Sequence, residues 1–226
     1  MLGAWLATGI AVAHAADTPA RLREDEASIE SKLHVPDGIE PGRYDVRCDL
    51  RVMENGKPRN IWCYAPDSAV PGKLVAAVLN ATLRAKFVPA TRDGKPAQVH
   101  MMLMVRTVIT DDEPLVLVLP NDGVEHARLG LFYIAPQRFN LFAWNARYRL
   151  PHSPVRKLSD SAVYWQELSI DEHGKVTQAK LTNGSDAPLP EIAEQMRWLI
   201  DHMQFLPGFV DGKPVSMRYV EPFIAP

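Results

Sequence analysis

The sequence has little that would suit a nucleic-acid-binding protein or a disulfide-rich scaffold. Its 226 residues include 25 lysines and arginines against 27 aspartates and glutamates, and a net charge of -2 offers no basic surface for a phosphate backbone. The two cysteines are too few for a zinc site without further clustered ligands. With 46% hydrophobic residues the chain can still bury a core, which we expect to be divided between two small domains.

Motifs for catalysis and cofactor binding are also missing. The seven histidines stand singly, without the His-Glu-x-x-His spacing of a metal-dependent hydrolase. There is no Gly-x-Ser-x-Gly nucleophile motif, phosphate-binding glycine loop or dinucleotide fingerprint. We therefore expect no enzymatic activity, no catalytic residue, no metal and no cofactor, and we interpret Glu172-His173 as a solvated pair on a turn.

Long hydrophobic runs are absent apart from a short one at the N-terminus. Residues Leu2 to Ala13 are apolar but fall short of the ~20 residues that a membrane-spanning helix needs. Ala13-His14-Ala15 then has the small-x-small form of a signal-peptidase site, which predicts a cleaved signal peptide over residues 1–16. Because no basic residue precedes the run, a longer N-terminus that would act as an inner-membrane anchor is the alternative. Residues 17–41, which have few large apolar side chains, are expected to form a mobile or weakly structured lead or a short exposed helix.

The feature that organises the chain is an internal duplication. The stretch KFVPATRDGKP, which begins at Lys86, returns as QFLPGFVDGKP from Gln204, at a constant offset of 118 residues. Taken singly, its side chains are expected to be core anchors and turn formers. The shared positions are Phe87, Pro89, Asp93, Gly94, Lys95 and Pro96 in the first copy and Phe205, Pro207, Asp211, Gly212, Lys213 and Pro214 in the second.

Two strands and a turn open each copy. Apolar and charged residues alternate from Val46 to Val52, which predicts a strand with one buried face. Asn55-Gly56 predicts a hairpin turn to a second strand over residues 59–64. The same offset lays this turn on His173-Gly174, so the second copy is predicted to open in the same way.

A helix and a long strand complete each copy. Apolar residues recur at helical spacing from Pro71, with Asp67 or Ser68 as candidate caps, and Phe87-Val88-Pro89 should end the helix. Residues 98–110 then predict a third strand. In the second copy the helical stripe is preserved at Ile192, Ala193, Met196, Leu199, Ile200 and Met203.

This order, with Phe-x-Pro-Ala/Gly followed by Asp-Gly-Lys-Pro and an apolar strand, resembles the C-terminal domain of TonB, the periplasmic energy-transducing protein of Gram-negative bacteria. The match covers residues 44–110 and 162–226. The resemblance implies an α+β fold of two tandem β-β-α-β domains, at 42–110 and 161–226, each a small antiparallel sheet with one helix packed on a face. The chain departs from the family in lacking a membrane-spanning helix and a proline-rich spacer, since its 19 prolines are scattered.

The resemblance also implies a function. The last strand of each domain would accept an extended peptide, such as a segment of an outer-membrane receptor, by β-strand addition, and the protein would be periplasmic and associated with TonB-dependent transmembrane transport. Covered edges are the alternative, because exposed edges invite aggregation. The partner-binding positions implied are Val99, Met101, Leu103, Val105 and Val108 in the first copy and Val215, Met217, Tyr219 and Phe223 in the second.

Two other functions stay open. One is a membrane-anchored energy transducer whose start is wrongly assigned. The other is a self-associating scaffold, such as a homodimer, or a module that holds a small ligand between its domains.

The two cysteines lie symmetrically about the predicted hairpin turn. In a two-residue hairpin at Asn55-Gly56, Cys48 and Cys63 face each other directly, which suits a disulfide. A three-residue loop with Gly56 in the left-handed conformation would shift the register by one and make the bridge doubtful. Export to an oxidising compartment favours the bridge.

Residues 111–160 form a connector that is too apolar and aromatic to be disordered. Within it, Leu115 to Leu119 predicts a strand. We expect the connector to dock on the first domain's sheet or to fill the gap between the domains. The alternative is an aromatic patch that binds a membrane surface or a partner, assisted by Arg138, Arg147 and Arg149.

Overall fold

A computed structural model describes residues 17–139, 163–182 and 202–224. The predicted signal peptide at 1–16, the connector from 140 to 160 and the predicted helix at 192–201 lie outside the described residues. The fold is α+β, and the paired strands named below are antiparallel. Of the helices described, none has the length and hydrophobicity to cross a bilayer. The elements are β1 (Arg21–Leu22), α1 (Ile29–Lys32), β2 (Gly42–Val52), β3 (Pro58–Tyr64), α2 (Gly72–Arg84), β4 (Phe87–Val88), β5 (Ala90–Arg92), β6 (Lys95–Ala97), β7 (Val99–Ile109), β8 (Leu115–Leu119), α3 (His126–Leu129), β9 (Gln137–Arg138), β10 (Val163–Ile170), β11 (Val176–Thr182), β12 (Phe205–Leu206), β13 (Gly208–Val210), β14 (Lys213–Val215) and β15 (Met217–Ile224).

The first sheet is built around β2 and β7, with strand order β12-β9-β7-β2-β3 and β8 also on β7. The alternation predicted for β2 places Val46, Cys48 and Leu50 on one fully buried face, where they share a core with Leu74 and Val78 of α2. The helix thus covers one face of the sheet because both elements present a continuous apolar surface.

Helix α2 begins without a side-chain cap. Pro71, in an extended conformation, is the residue at its N-terminus, so the prediction of Asp67 or Ser68 as the cap is wrong. Asp67 instead accepts a hydrogen bond from the Ala69 N–H in the preceding turn. Pro71 suits this position because its fixed φ is compatible with helix entry and it has no N–H to leave unpaired.

The β2–β3 hairpin combines the two arrangements that the sequence left open. Its loop has three residues, since the Met53 N–H bonds to the Lys57 carbonyl, and Gly56 is left-handed at φ 74°. A register shift follows at Asn60, which has φ 48°, and restores the direct pairing of Cys48 with Cys63. These cysteines form the predicted disulfide, with Cα atoms 4.1 Å apart. A β-bulge therefore compensates for the longer loop.

The second sheet repeats the first in strand order and register. Its order is β11-β10-β15, which corresponds to β3-β2-β7. Leu50 pairs with Met101 in the first sheet, and Leu168 pairs with Tyr219 in the second, 118 residues on at both positions. The cysteine pair corresponds in the same way to Gln166 opposite Leu181, so the equivalent hairpin forms without a disulfide. The strands of the two copies therefore share one pairing scheme.

The turns are repeated as well. Asp93 and Asp211 have φ of 51° and 50°, at the same position of the β5–β6 and β13–β14 hairpins. A Cβ on Gly56 would collide with the carbonyl oxygen of Phe87, and one on Gly174 would collide with that of Phe205. Both phenylalanines are buried. The motif residues are thus turn formers and core anchors, as their chemistry predicts.

The N-terminal lead at residues 17–41 contains a short helix, α1, as one of the two expectations had it, but the lead is not mobile or weakly structured. Thr18 pairs with Thr91 by two main-chain hydrogen bonds of 3.1 and 2.9 Å, and β1 pairs with β4. Ala20 and Ile29 are buried in the core beneath α2. The lead therefore contributes the bridge at Thr18, strand β1 and helix α1 to the first copy.

The connector supplies the same strand to the second copy. Ile134 exchanges two main-chain hydrogen bonds of 2.9 Å with Phe209, and β9 pairs with β12. Thr18 and Ile134 thus hold equivalent places, since Thr91 and Phe209 are themselves related by the offset of 118. Each repeated unit therefore starts upstream of the boundaries predicted at 42 and 161.

Candidate functional site

The outer edge of β7, predicted to accept a peptide, is occupied by the chain itself. β8 pairs with Met104 to Val108, and β9 pairs at His100. The predicted strand at Leu115–Leu119 is confirmed, and it docks on the first domain's sheet, one of the two expected places. Strand addition at this edge would require β8 to leave, which corrects the expectation for the first copy. Of the positions implied there, Val99, Met101, Leu103 and Val105 are buried and Val108 pairs with both β2 and β8.

The equivalent edge of β15 has a different environment. Within the described ranges, β10 is the strand that pairs with β15, and no strand pairs with its other side. Met217 and Tyr219 are buried, whereas Val215 belongs to the preceding hairpin strand β14. The main chain of Phe223 pairs with Tyr164. The implied binding side chains of Met217 and Tyr219 are thus part of the fold, and what stays unpaired among the described residues is main chain.

Two arginines and a glutamate cover the beginning of this edge. The Arg218 N–H donates to Glu125 Oε1 at 3.0 Å, and Arg128 Nη2 donates to the Ser216 carbonyl at 2.9 Å. Alternate residues of a strand direct their main-chain groups to the same side. The main-chain groups of Val220, Pro222 and Ile224 therefore also point away from β10. Among the described residues, the uncovered part of the edge therefore runs from Val220 to Ile224.

The Glu125 carboxylate that covers this edge is held ionised. Burial of Glu125 opposes ionisation, but hydrogen bonds from the Arg128 side chain and the Arg218 main chain outweigh it and lower the pKa of Glu125. Arg128 Nε lies 2.8 Å from Glu125 Oε2. The first three residues of the edge, 216–218, are therefore tied to α3 by charge-assisted bonds.

A buried polar relay joins the two sheets. His100 Nε2 lies 2.5 Å from Asp49 Oδ1, and His100 Nδ1 lies 2.8 Å from Tyr219 Oη. The Tyr219 hydroxyl donates to Glu221 Oε2 at 2.8 Å, which also accepts from Arg138 Nη2 at 3.1 Å. The relay thus links β2, β7 and β9 of the first sheet to β15 of the second.

Three hydrogen bonds in series between Asp49 and Glu221 require three protons. A neutral imidazole and a phenol supply two, so the arrangement needs one more proton on the ring or on a carboxyl group. Burial, reinforced by the charge of Glu221, raises the pKa of Tyr219 and keeps its hydroxyl protonated. His100 and Tyr219 are 5% and 0% exposed, so the relay holds the sheets together and is closed to a substrate.

The same residues contain a group of three potential metal ligands, Asp49, His100 and Glu221. The two carboxylates approach different nitrogens of one imidazole ring, and Glu221 already bonds to Tyr219 and Arg138. A single cation could not replace both contacts of the ring. The donor set therefore fits a hydrogen-bonded relay and not a metal centre. The alternative interpretation placed Arg138 in a binding patch with Arg147 and Arg149, but Arg138 is buried here and the other two lie outside the described residues.

A second polar cluster lies in the segment between β8 and β9. Asn121 donates to the carbonyls of Leu131 and Tyr133 and accepts from His126, and the Glu125 N–H donates to the Tyr133 hydroxyl. Burial raises the pKa of Asp122. Asp122 Oδ2 has no hydrogen-bond partner among the described residues. Asn121 thus shapes the loop that carries Glu125 to the edge of β15.

Searches against protein-family models, curated proteins and solved structures found no match to this chain. Its function is therefore inferred from its own residues and geometry.

Proposed function

We propose that this chain is an exported, TonB-like protein that binds an extended segment of another protein by adding it as a strand to the outer edge of β15. The proposal takes the two copies as tandem TonB-like β-β-α-β domains. Its main support is the difference between equivalent edges: β7 is covered by β8, whereas within the described ranges no strand covers β15. An edge with unpaired main-chain groups is what strand addition requires.

The two copies have different roles in this proposal. The first copy is closed by β8 and β9 and acts as a scaffold, to which the relay and Glu125 attach the second copy. The second copy presents Val220 to Ile224 for binding. Main-chain pairing supplies affinity, and the side chains that alternate along the partner supply selectivity.

Export and the choice of partner are supported by the disulfide and by the N-terminal sequence. A disulfide between Cys48 and Cys63 favours an oxidising compartment. The N-terminal residues have the pattern of a cleaved signal. In this setting we propose that the partner is an extended segment of an outer-membrane receptor.

The test measures binding of labelled synthetic peptides from the N-terminal segments of TonB-dependent outer-membrane receptors by fluorescence anisotropy. Val220→Pro removes one outward N–H and should weaken binding about fivefold, the effect of one hydrogen bond. Val220→Ala keeps the N–H and should bind like the unaltered chain.

The pair of variants separates main-chain pairing from side-chain contact. Equal weakening by Val220→Pro and Val220→Ala would mean that the side chain, not the edge, carries binding. If no receptor peptide binds the unaltered chain, the proposed function is wrong.

A further inference from the structure

The first copy contains an occupied version of the β15 edge, on which no strand lies in the part of the chain that the structure describes. In the first copy, β8 pairs antiparallel with β7, with Met104 opposite Leu119 and Arg106 opposite Leu117. The offset of 118 carries Met104 and Arg106 to Pro222 and Ile224. β15 pairs with β10 in the same register as β7 pairs with β2. A strand placed on β15 as β8 is placed on β7 could therefore pair with the main-chain groups of β15 that point away from β10.

The side chains of β8 show what kind of strand the equivalent edge of β7 accepts. Its sequence is Leu-Val-Leu-Val-Leu, and Val118 and Leu119 are buried while Leu115 is 66% exposed. Val118 belongs to the core beneath α2. An occupant of such an edge therefore contributes apolar side chains to the neighbouring core in addition to main-chain bonds.

One position distinguishes the two edges. Pro222 stands where the first copy has Met104, and a proline has no N–H to donate. Prolines on edge strands are a known defence against unwanted pairing. The β15 edge therefore offers one hydrogen bond fewer than the β7 edge, which suits a partner that binds and dissociates.

We infer that the segment bound by β15 is apolar and runs antiparallel to it, in the register that β8 takes on β7. This inference rests on the proposed function and deepens it, because it gives the polarity and chemistry of the partner strand. In this register Leu119 of a β8-like segment lies opposite Pro222, and Asn121 lies opposite Val220.

A disulfide cross-link tests the polarity. The probe is a synthetic peptide of residues 113–122 with a lysine tag and a single cysteine, introduced by Asn121→Cys near its C-terminal end or by Pro114→Cys near its N-terminal end. The full chain carries Val220→Cys, and its native cysteines are already joined to each other. With oxidised glutathione as the oxidant, the Asn121→Cys peptide should cross-link at least tenfold faster than the Pro114→Cys peptide, because antiparallel pairing in this register brings its cysteine to position 220.

Affinity tests the edge itself. Pro222→Val restores the missing donor and should bind the unmodified peptide of residues 113–122 about fivefold more tightly. A peptide with Leu117→Asp should bind at least tenfold more weakly, because it places a charge in an apolar contact.

Three outcomes would overturn the inference. Faster reaction of the Pro114→Cys peptide would show that the partner strand runs parallel to β15. If receptor peptides then bind in the parallel direction, the inference fails but the proposed function stands. A disulfide-linked dimer of the Val220→Cys chain, with no peptide adduct, would show that a second copy occupies the edge. Absence of binding by both the β8 peptide and the receptor peptides would remove the inference and the proposed function together.

Discussion

At the scale of single residues, Asp122 is a buried carboxyl group whose charged form the fold compensates poorly. It is 4% exposed, and only one of its oxygens accepts a hydrogen bond, from the Val124 N–H. Burial raises the pKa of Asp122, so the folded chain binds this proton more tightly than the unfolded chain does. Its contribution to stability is therefore most favourable at acidic pH and is lost as pH rises through the raised pKa.

We expect Asp122→Asn to raise the thermal midpoint at pH 7, because the amide keeps the acceptor for Val124 and removes the buried charge. The difference in thermal midpoint between the variant and the unaltered chain should shrink as pH falls toward the ordinary pKa of aspartate, about 4, because the Asp122 carboxyl of the unaltered chain is then also protonated. Thermal unfolding of both chains between pH 7 and pH 4 measures this. The charge of Arg47 favours the ionised form of Asp122, and a lower midpoint for the variant at pH 7 would mean that this attraction outweighs the cost of burial.

The relay makes a second prediction at this scale. Tyr219→Phe leaves His100 and Glu221 without their common partner in a buried site, which should cost about 1–3 kcal/mol in the free energy of unfolding. Tyr44→Phe is the matched control, because the Tyr44 hydroxyl donates to the Glu40 carbonyl at the surface. Urea unfolding of the two variants should differ accordingly, and equal losses would show that the relay contributes nothing beyond a surface bond.

At the scale of elements, the hairpin glycines are constrained by what lies against them. Gly56 and Gly212 share φ of 74°, but a Cβ on Gly56 would strike the Phe87 carbonyl oxygen, whereas one on Gly212 would meet nothing within 4 Å. Both alanine variants incur the cost of a left-handed residue, about 1–2 kcal/mol. Gly56→Ala should lose clearly more stability than Gly212→Ala in urea unfolding. Similar losses would mean that the β2–β3 hairpin can move away from the Phe87 carbonyl without cost.

Local chemistry explains which elements could be predicted from the sequence. The hairpins, α2 and the strand at Leu115–Leu119 follow from turn residues and periodicity, which depend on neighbours in the chain. The bulge at Asn60 was not predictable in this way, because it reconciles a three-residue loop with a distant disulfide. The lead strands at Thr18 and Ile134 share no letters, since both are held through main-chain bonds that any residue can make.

The relay was missed for a related reason. His100 and Tyr219 are 119 residues apart, and neither lies in a motif. The resemblance implied Tyr219 as a partner-binding position of the last strand, and nothing beside it in the sequence indicates a buried hydrogen bond. A search for polar residues on otherwise apolar strands would have singled out both, without indicating that they meet.

At the scale of the whole molecule, duplication has produced two copies with unequal edges. The edge of β7 is paired with β8, whereas within the described ranges no strand pairs with the equivalent edge of β15. There Glu125 covers the beginning of the edge, and Pro222 has no N–H to donate. The closed copy stabilises the other through the relay and through the core that joins Met102 to Leu168, Ile170 and Tyr219. We expect loss of the relay to weaken peptide binding indirectly, by loosening β15.

Amide hydrogen exchange along β15 tests the account most directly. In the free protein, Tyr219 and Glu221 should exchange slowly because they face β10, while Val220 between them should exchange close to the rate of an unstructured chain. A saturating receptor peptide should slow Val220 at least tenfold and leave its neighbours unchanged. Slow exchange of Val220 before any peptide is added, or no change on saturation, would contradict the claim that β15 offers an open edge for strand addition.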